Sequence, residues 1–322
     1  MKKYLVTGGA GFIGSHLCDY LLGEGHKVVV VDNFNDYYDV RIKERNVGDN
    51  LDNPNYKLYR GDIRDLDFLK NIFQDEKLDA VINLAAMAGV RPSLENPILY
   101  EEVNVRGLMN LLELSKANGI NKFIQASSSS VYGNNKEVPF KETAVVDYAI
   151  SPYAATKKAG EVMGHVYHHL YNIDMIQLRF FTVYGPRQRP DLAIHKFTRM
   201  IAAGEMIPFY GDGTTQRDYT YIDDIIDGVV KSIKYLEKNE KVYEIFNLGE
   251  SHTVTLKEMV ETIEKELGIE AKINRQPMQP GDVEKTYADI SKAKKVLGYA
   301  PKTQFSEGIK KFLTWYNGMN IK

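Results

Sequence analysis

The sequence predicts an α/β protein: a Rossmann-like, doubly wound parallel sheet with a smaller mixed α/β domain toward the carboxyl end. Three observations support this fold class. Short apolar runs alternate with helical segments through the first half of the chain, a glycine-rich turn follows the first run, and the alternation stops at Gly185-Pro186. Strands that alternate with helices form parallel sheets, because each helix returns the chain to the same edge.

Six apolar runs have the length and composition of buried strands. They lie at 4–6, 27–31, 56–59, 80–84, 122–126 and 175–179. Between the first two runs, apolar residues repeat at helical spacing from Ile13 to Leu21, and Gly23 ends that helix. A long helix is predicted from about 97 to 118, and Ser151-Pro152 is typical of a helix start.

The second half of the chain predicts an interleaved domain boundary. Segments 222–236 and 242–248 have the pattern of a helix and a strand that return to the main sheet, and Thr255 and Glu258 form a predicted capping box. The two predicted domains are residues 1–183 with about 219–250, and about 184–218 with 251–322.

Composition excludes several classes of protein. The 322 residues carry a net charge of −2 and no basic run, which argues against nucleic acid and membrane surfaces as partners. The single cysteine, Cys18, excludes an internal disulfide. The first strand begins at about Lys3 and leaves no room for a signal peptide, so the expected location is cytoplasmic. His165, His168 and His169 lack the spacing of a metal motif, and no metal site is expected.

The glycine-rich turn predicts a dinucleotide site. Gly8, Gly11 and Gly14 follow the first strand and open the first helix, with the spacing G-x-x-G-x-x-G. Glycines there permit a tight turn, close approach of the backbone to a pyrophosphate, and close helix–sheet packing. A carboxylate at Asp32, which ends the second strand, accepts hydrogen bonds from an adenosine ribose and repels a 2′-phosphate, which favours NAD over NADP. Asp62, after the third strand, is placed to meet the adenine amino group.

Tyr153 and Lys157 are the predicted catalytic pair. They lie four residues apart in a predicted helix and therefore on one face of it. An ammonium group near a phenol favours the phenolate, so we expect Lys157 to lower the pKa of Tyr153 and make it a base near neutral pH. Tyrosine and lysine meet at this spacing by chance on many helices, so the weight of the pair depends on the glycine turn upstream.

These motifs resemble the extended short-chain dehydrogenase/reductases that act on nucleotide sugars. The resemblance rests on Thr7 to Gly14, Asp62, Leu84-Ala85-Ala86, Tyr153-x-x-x-Lys157 and Arg179-Phe180-Phe181. Within that family it is greatest to UDP-glucuronate 4-epimerases, over residues 32–39, 88–91, 127–133 and 179–191. It implies NAD as cofactor, so that the first domain binds NAD and the second binds the nucleotide sugar. The implied cofactor-binding residues, besides Tyr153 and Lys157, are Gly8, Gly11, Phe12, Ile13, Gly14, Asp32, Asn33, Asp62, Ile63, Leu84, Ala85 and Ala86.

The resemblance also implies a reaction: reversible epimerisation of UDP-glucuronate to UDP-galacturonate at C4, through a transient 4-keto sugar. Tyr153 is implied as the base for the 4-hydroxyl, Lys157 as the residue that holds the nicotinamide ribose, and Ser128 as a proton relay. Hydride passes to NAD⁺, the keto sugar rotates, and hydride returns to its other face.

The serine loop 127–133 distinguishes this reaction from related ones. Related 4,6-dehydratases carry an Asp-Glu pair at the positions of Ser129 and Ser130, and related uronate decarboxylases carry glutamate at the position of Ser130. Those acids transfer protons after the oxidation. Without them, the predicted chemistry stops at the ketone and reverses. A simple polar turn is the alternative interpretation of the two serines.

A 4-keto uronic acid loses CO₂ when its carboxylate bond aligns with the ketone π system, so an epimerase must hold the carboxylate out of that alignment. Arginine binds carboxylates directionally, and hydroxyl groups can assist it. The candidates by resemblance are Ser129, Ser130, Thr182 and Arg189. Arg187 is the alternative to Arg189, and the bland interpretation of either is an ordinary surface arginine.

Residues 207–219 resemble the uridine-diphosphate clamp of the family. Phe209 is implied near the uracil, Arg217 at the diphosphate and Asp282 at the uridine ribose. Some relatives carry arginine where this chain has Gln279, which leaves the ribose and diphosphate contacts there open. Arg91 either faces the diphosphate or fixes its own loop, and the sequence does not separate the two.

Two rival functions stay open at this point. A 4-epimerase of neutral UDP-hexoses or UDP-N-acetylhexosamines would share most of these motifs, and Arg189 with the serine loop argues against it. A non-catalytic nucleotide-sugar sensor of the same fold would commonly lack the Tyr–Lys pair or the glycines, which this chain keeps. By resemblance, the helices at about 97–118 and 152–171 are expected to form a homodimeric four-helix bundle, although their apolar residues also suit core packing.

Overall fold

The main sheet confirms the predicted fold class. The structure, a computed structural model, describes residues 1–277 and 284–319. Its strands are β1 (Lys3–Thr7), β2 (Lys27–Asp32), β3 (Tyr56–Arg60), β4 (Ala80–Asn83), β5 (Lys122–Ser128), β6 (Asp174–Phe180), β7 (Thr182–Tyr184), β8 (Met206–Tyr210), β9 (Gln216–Tyr221), β10 (Tyr243–Leu248), β11 (Thr253–Thr255) and β12 (Lys272–Gln276). Seven of these form a parallel sheet in the order β10-β6-β5-β4-β1-β2-β3. The order reverses between β1 and β4, where sheets of this kind bind their ligands.

Most of the helices cover the main sheet or connect its strands, and the others pack on the segments outside it. In chain order the helices are α1 (Phe12–Gly23), α2 (Val40–Gly48), α3 (Leu66–Asp75), α4 (Val90–Glu95), α5 (Pro97–Glu101), α6 (Gly107–Ala117), α7 (Pro152–Tyr171), α8 (Ala193–Ala202), α9 (Ile222–Lys238), α10 (Leu256–Leu267), α11 (Ser291–Leu297) and α12 (Phe305–Gly318). Helices on both faces explain why the central strands are almost continuously apolar. Leu5 and Val6, neighbours on β1, are both fully buried and belong to the cores on opposite faces of the sheet.

The strand predictions hold closely. Each of the six predicted strands is present, with ends within two residues of the predicted ones. Segment 242–248 returns to the main sheet as predicted, because β10 pairs in parallel with β6. Cys18 is buried on the inner side of α1, as expected of a small apolar residue. Among the residues that the structure describes, no helix is long and apolar enough to span a membrane.

The predicted long helix at 97–118 is interrupted. A π-helical segment, Glu102–Arg106, joins α5 to α6. Asn104 in this segment accepts a hydrogen bond from the Met87 nitrogen at 2.8 Å and donates to the Thr156 hydroxyl at 3.0 Å. The wider turn thus brings one amide side chain to both the loop after β4 and helix α7. Apolar periodicity does not reveal such a turn, and π segments often lie near functional sites.

Two small sheets lie outside the main one. One has the strand order β11-β9-β7 and the other pairs β12 with β8. Helix α10 begins with the predicted capping box: the Glu258 nitrogen donates to the Thr255 hydroxyl at 3.0 Å, and the Thr255 nitrogen donates to the Glu258 carboxylate at 2.7 Å. One continuous apolar core joins these sheets to the main sheet. The segments after β6 are therefore fixed relative to the carboxyl edge of the main sheet.

Candidate active site

A cavity of about 390 Å³ opens at the carboxyl edge of the main sheet, above β1 and β4. Its volume is in the range of small-molecule and cofactor sites. It brings together the predicted cofactor and catalytic positions and four of the predicted sugar-binding ones. Those lining it are Gly8, Gly11, Phe12, Ile13, Gly14, Asp32, Asn33, Asp62, Ile63, Leu84, Ala85, Ala86, Ser128, Ser129, Ser130, Tyr153, Lys157, Thr182 and Arg189.

The glycine turn leaves no room for side chains. Gly8 has a φ of 70°, and a Cβ added there would lie 2.8 Å from the Ala85 nitrogen. A Cβ at Gly14 would collide with the Gly8 carbonyl oxygen, which already accepts a hydrogen bond from the Gly11 nitrogen at 3.1 Å. The turn therefore packs directly on the loop after β4. Helix α1 begins with its N-terminus at the cavity, a place suited to a phosphate.

Asp32 is held at the end of β2 by the backbone on both sides. Its carboxylate accepts hydrogen bonds from the Ala10 nitrogen at 3.1 Å and from the Phe34 nitrogen at 2.9 Å. Lys43, which the sequence interpretation missed, lies 3.8 Å from the same carboxylate and also lines the cavity. Both side chains are buried. A lysine on the following helix gives no sequence signal that distinguishes it from a solvated one.

Asp62 is oriented by its neighbours. It accepts hydrogen bonds from Asn33 at 2.9 Å and from two nitrogens of Arg64 at 3.0 and 2.9 Å. Burial alone would raise the pKa of Asp62, but the hydrogen bonds from Arg64 and Asn33 outweigh it and lower that pKa. The carboxylate is thus an acceptor at the cavity wall.

The predicted catalytic pair, Tyr153 and Lys157, lies at the start of α7. The Ser151 hydroxyl accepts a hydrogen bond from the Ala154 nitrogen at 3.2 Å, and Pro152 occupies the first turn, as predicted. The Lys157 ammonium donates to the Ala126 carbonyl at 2.8 Å and lies 5.9 Å from the centre of the Tyr153 ring. The start of α7 and the end of β5 together place the side chains of Tyr153 and Lys157 in the cavity.

The expected pKa of Tyr153 requires a correction. Burial raises the pKa of Tyr153, while a hydrogen bond with Ser128 and the charge of Arg189 act in the opposite direction. Burial also lowers the pKa of Lys157 to about 8. Burial of Tyr153 therefore opposes the phenolate form that a base requires. The groups that lower the pKa of Tyr153 are Ser128 and Arg189. The helical spacing in the sequence had suggested Lys157 instead.

The serine loop lines the cavity together with the predicted base, Tyr153. Ser128 ends β5, and its hydroxyl accepts a hydrogen bond from the Ser130 nitrogen at 3.1 Å at the start of a short 3-10 turn. Below it, Ser127 donates to Glu161 at 2.7 Å, and Glu161 forms a fully buried ion pair with Arg179 at 2.8 Å. The Glu161 carboxylate is therefore already paired with Arg179.

Arg187 and Arg189 differ clearly in position. Arg187 has a φ of 63° and forms an ion pair at 2.7 Å with Asp19 on α1, away from the cavity lining. Arg189 lines the cavity, and two of its nitrogens donate to Asp191 at 3.0 and 2.7 Å. Buried Gln188 lies between them and accepts a hydrogen bond from the His195 nitrogen at 3.2 Å, which anchors the loop.

Among the described residues, the predicted uridine-diphosphate positions Phe209, Arg217 and Arg91 lie outside this cavity lining. Phe209 is buried with Arg275 over its ring at 5.1 Å, and the guanidinium of Arg217 donates to the Gln216 carbonyl at 2.9 Å. The Arg91 guanidinium lies 5.6 Å from the centre of the Tyr210 ring. The structure brings Arg91 to the strand that carries Phe209 without bringing either to the cavity. Asp282 and Gln279 fall outside the described residues.

The histidines on α7 have packing contacts. His165 meets the Tyr243 ring edge-on at 4.9 Å between ring centres. His168 lies with its Nδ1 atom 3.1 Å from the Ile173 carbonyl oxygen. Because His165 is exposed and His168 is half-buried, these contacts agree with a solvated or packed helical face.

Known proteins are similar to this chain in both sequence and fold. The family model described as GDP-mannose 4,6 dehydratase matches residues 5–312. A UDP-glucuronate 4-epimerase from Thermodesulfobacterium geofontis is 45% identical over 316 residues, which cover 98% of this chain and 96% of that one. The crystal structure of UDP-glucuronic acid 4-epimerase from Bacillus cereus, in complex with UDP-glucuronic acid and NAD, superposes with a TM-score of 0.92 at 37% identity, covering 98% and 99% of the two chains.

A neutral-sugar enzyme is also similar. UDP-glucose 4-epimerase from Thermotoga maritima, solved with UDP-glucose, superposes with a TM-score of 0.89 at 34% identity, again covering 98% and 99% of the two chains. The shared fold does not by itself decide between the sugars. Because the family model spans nearly the whole chain and these relatives match it from end to end, the chain belongs to the extended short-chain dehydrogenase/reductases that modify nucleotide sugars.

Proposed function

We propose that the protein is an NAD-dependent epimerase that interconverts UDP-glucuronate and UDP-galacturonate. The observation that carries the proposal is the composition of the cavity. It joins Tyr153 and Ser128 to a serine loop without an acid, and to Arg189. That reaction has three requirements. The site must oxidise the C4 carbinol, it must lack an acid that would transfer a further proton after the oxidation, and it must offer a cation to the sugar carboxylate.

The cavity fits a dinucleotide. The close approach of Gly8 to Ala85 and the open start of α1 suit a pyrophosphate, and Asp32 suits the two ribose hydroxyls of NAD while repelling a 2′-phosphate. Asp62 is an acceptor for the adenine amino group, and Lys157 is a donor to the nicotinamide ribose. When bound, NAD accepts hydride from C4 of the sugar and returns it.

The proton steps belong to Tyr153 and Ser128. As the C4–H electron pair leaves, the 4-hydroxyl proton passes to the Tyr153 phenolate, directly or through the Ser128 hydroxyl, and a C4 ketone forms. After the sugar rotates, the same phenol returns the proton to the new alkoxide. Proton and hydride balance to zero over the cycle, so the reaction consumes neither. The positive charge of Arg189 counters the burial that raises the pKa of Tyr153.

Retention of CO₂ requires control of the sugar carboxylate. Arg189 would bind that carboxylate, assisted by the hydroxyls of Ser129, Ser130 and Thr182, which line the same cavity. The ion pair of Arg187 with Asp19 argues against Arg187 in this role. At the other end of the substrate, we propose that Phe209, Arg217 and Asp282 hold the uridine diphosphate, as the family resemblance implies.

The main alternative is a 4-epimerase of neutral UDP-hexoses or UDP-N-acetylhexosamines. The similarity to the Thermotoga maritima enzyme favours it, and the cationic group in the cavity opposes it. A non-catalytic sensor would not need Tyr153, Lys157 and the glycine turn together. Turnover of UDP-glucuronate separates the sensor from both epimerases.

We propose further that the chain divides into an NAD-binding domain of residues 1–183 with about 219–250, and a sugar-nucleotide domain of about 184–218 with 251–322. The return of β10 to the main sheet and the pairing of β8 with β12 outside it support this division. A homodimer and a cytoplasmic location are also proposed. Exposed apolar residues of α5 and α7 support the dimer: Ile98, Val162, Val166 and Leu170.

Incubation of the purified protein with UDP-glucuronate tests the function. Separation of the sugar nucleotides should show UDP-galacturonate and an equilibrium reached from either side. UDP-xylose as the main product, or no reaction, would remove the proposal. A faster reaction with UDP-glucose would favour the neutral-sugar alternative.

A further inference from the structure

Arg189 is held on two sides before any sugar arrives. Its Nε and Nη2 atoms donate to the two oxygens of Asp191, which fixes one edge of the guanidinium group. The guanidinium carbon of Arg189 lies over the ring of Tyr37, 5.1 Å from the ring centre. This distance is within the range of a cation–π contact. Within the described part of the chain no hydrogen bond of Nη1 is found, which leaves this nitrogen of the guanidinium group available to a ligand.

Tyr37 is itself fixed by the wall of the cavity. A Cβ added at Gly89 would lie 3.2 Å from the Tyr37 hydroxyl, so the glycine, with a φ of 110°, provides the notch in which this hydroxyl sits. The Tyr100 hydroxyl donates to the Ala88 carbonyl at 2.9 Å and lies near the Tyr37 hydroxyl.

The same contacts reach the predicted base. The ring of Tyr100 meets the ring of Tyr153 edge-on at 6.2 Å between centres. Tyr37 follows Asp32 by five residues, in the loop that leaves the proposed ribose site. One short loop therefore touches the proposed cofactor site at its start and, through its tyrosine, both Arg189 and the neighbour of Tyr153.

We propose that Tyr37 is a positioning residue that selects charged sugars by fixing the plane of Arg189, so that Nη1 and the outer edge of the fork face the sugar carboxylate. This inference rests on the proposed function. A neutral sugar makes no ion pair with the fork, so loss of the ring should weaken uronate binding and leave neutral-sugar binding nearly unchanged. A mobile arginine loses side-chain entropy when it binds a ligand. The contact with the Tyr37 ring orders Arg189 before binding, so that this cost is smaller.

The test measures the ratio of dissociation constants, UDP-glucose over UDP-glucuronate, on the NAD-loaded protein. Tyr153→Phe serves as the background to prevent turnover. Tyr37→Leu should lower the ratio about tenfold, as expected for a desolvated cation–π contact, and Tyr37→Phe should retain most of it. In an Arg189→Ala background, Tyr37→Leu should lower the ratio no further. With an active Tyr153, Tyr37→Leu should raise KM for UDP-glucuronate with a much smaller change in kcat.

The outcomes separate this inference from the proposed function. A ratio near one in the parent protein, or no effect of Arg189→Ala, overturns the uronate assignment and the role of Tyr37 with it. If Arg189→Ala lowers the ratio but Tyr37→Leu leaves it unchanged, or weakens both sugars equally, only the role of Tyr37 is overturned. Should Tyr37→Leu not fold, Tyr37→Met keeps the bulk without the aromatic face and is read by the same criteria.

Discussion

The cofactor half and the sugar half of the cavity are built in different ways. The cofactor half consists of the ends of neighbouring strands and the turn after β1, where the backbone itself provides the contacts. The sugar half consists of loops far apart in sequence, which meet through side chains such as Tyr37 and Arg189. From this difference we expect cofactor binding to be sensitive to changes of the backbone. We expect the sugar specificity to change when single side chains are replaced.

The largest expected effect lies at the junction of the two halves. Tyr153→Phe removes the group that exchanges the proton, so kcat should fall about 10³-fold while sugar binding changes little. Steady-state kinetics and titration calorimetry measure the two quantities. The matched control is Tyr148→Phe, because Tyr148 is 84% exposed and should be replaceable without effect. A fall of less than about tenfold would mean that another group is the base.

The cofactor half is tested by its glycines. Gly8→Ala places a Cβ against the backbone at a φ of 70°, so NAD affinity should fall about 100-fold, and the strain should reduce the free energy of unfolding by about 1–2 kcal/mol. The control is Gly23→Ala in α1, where a Cβ meets nothing within 4 Å. That change should stabilise the protein by about 0.5–1 kcal/mol. Equal NAD affinity in the two variants would contradict the described packing of the turn.

The sugar half is tested by its two arginines. Arg189→Ala should weaken UDP-glucuronate binding about 50-fold, corresponding to roughly 2–3 kcal/mol for hydrogen bonds to a charged group, with a small effect on UDP-glucose. Arg187→Ala should affect both sugars equally, because Arg187 pairs with Asp19 outside the cavity lining. Competition binding of the two nucleotides measures both effects. If Arg187 proved the selective residue, the assignment would be reversed.

The smallest expected effect concerns the buried ammonium at the base of the cavity. Burial lowers the pKa of Lys157 from 10.5 to about 8, so between those pH values the unfolded chain holds a proton that the folded chain lacks. The free energy of unfolding should therefore rise with pH in this window, by up to about 1.4 kcal/mol per unit relative to Lys157→Met.

Urea denaturation of the ligand-free protein from pH 7 to 10 measures this difference. The variant is the control, because it retains all other titrating groups, including the tyrosines. Identical pH dependence in the two proteins would show that Lys157 is not desolvated in the folded state.

Sequence reasoning succeeded where backbone geometry determines the residue type. The strand–glycine–helix pattern predicted the position of Gly8 and Gly14, and the end of β2 predicted that of Asp32, because parallel strands bring their carboxyl ends together. The fold class and six strand positions followed from the same periodicity. The roles of these residues in binding and catalysis remain predictions until the experiments above are done.

Side-chain contacts between distant loops could not be predicted. Nothing in the sequence shows that Tyr37 stacks on Arg189, that Lys43 lies beside Asp32, or that Arg187 turns away to Asp19. The pKa of Tyr153 was predicted in the wrong direction for the ligand-free protein, because helical spacing reports proximity and not burial. The π turn around Asn104 was also missed, since it changes the path of the helix without breaking its apolar pattern.

The central claim is that the protein returns to C4 the hydride that it removes, and keeps the carboxylate. UDP-glucuronate carrying deuterium at C4 tests this claim directly, with the products followed by mass spectrometry and NMR in ordinary water. The account predicts UDP-galacturonate that retains its deuterium at C4 and all of its carbon. Loss of the label to solvent, or a product that is lighter by CO₂, would contradict it.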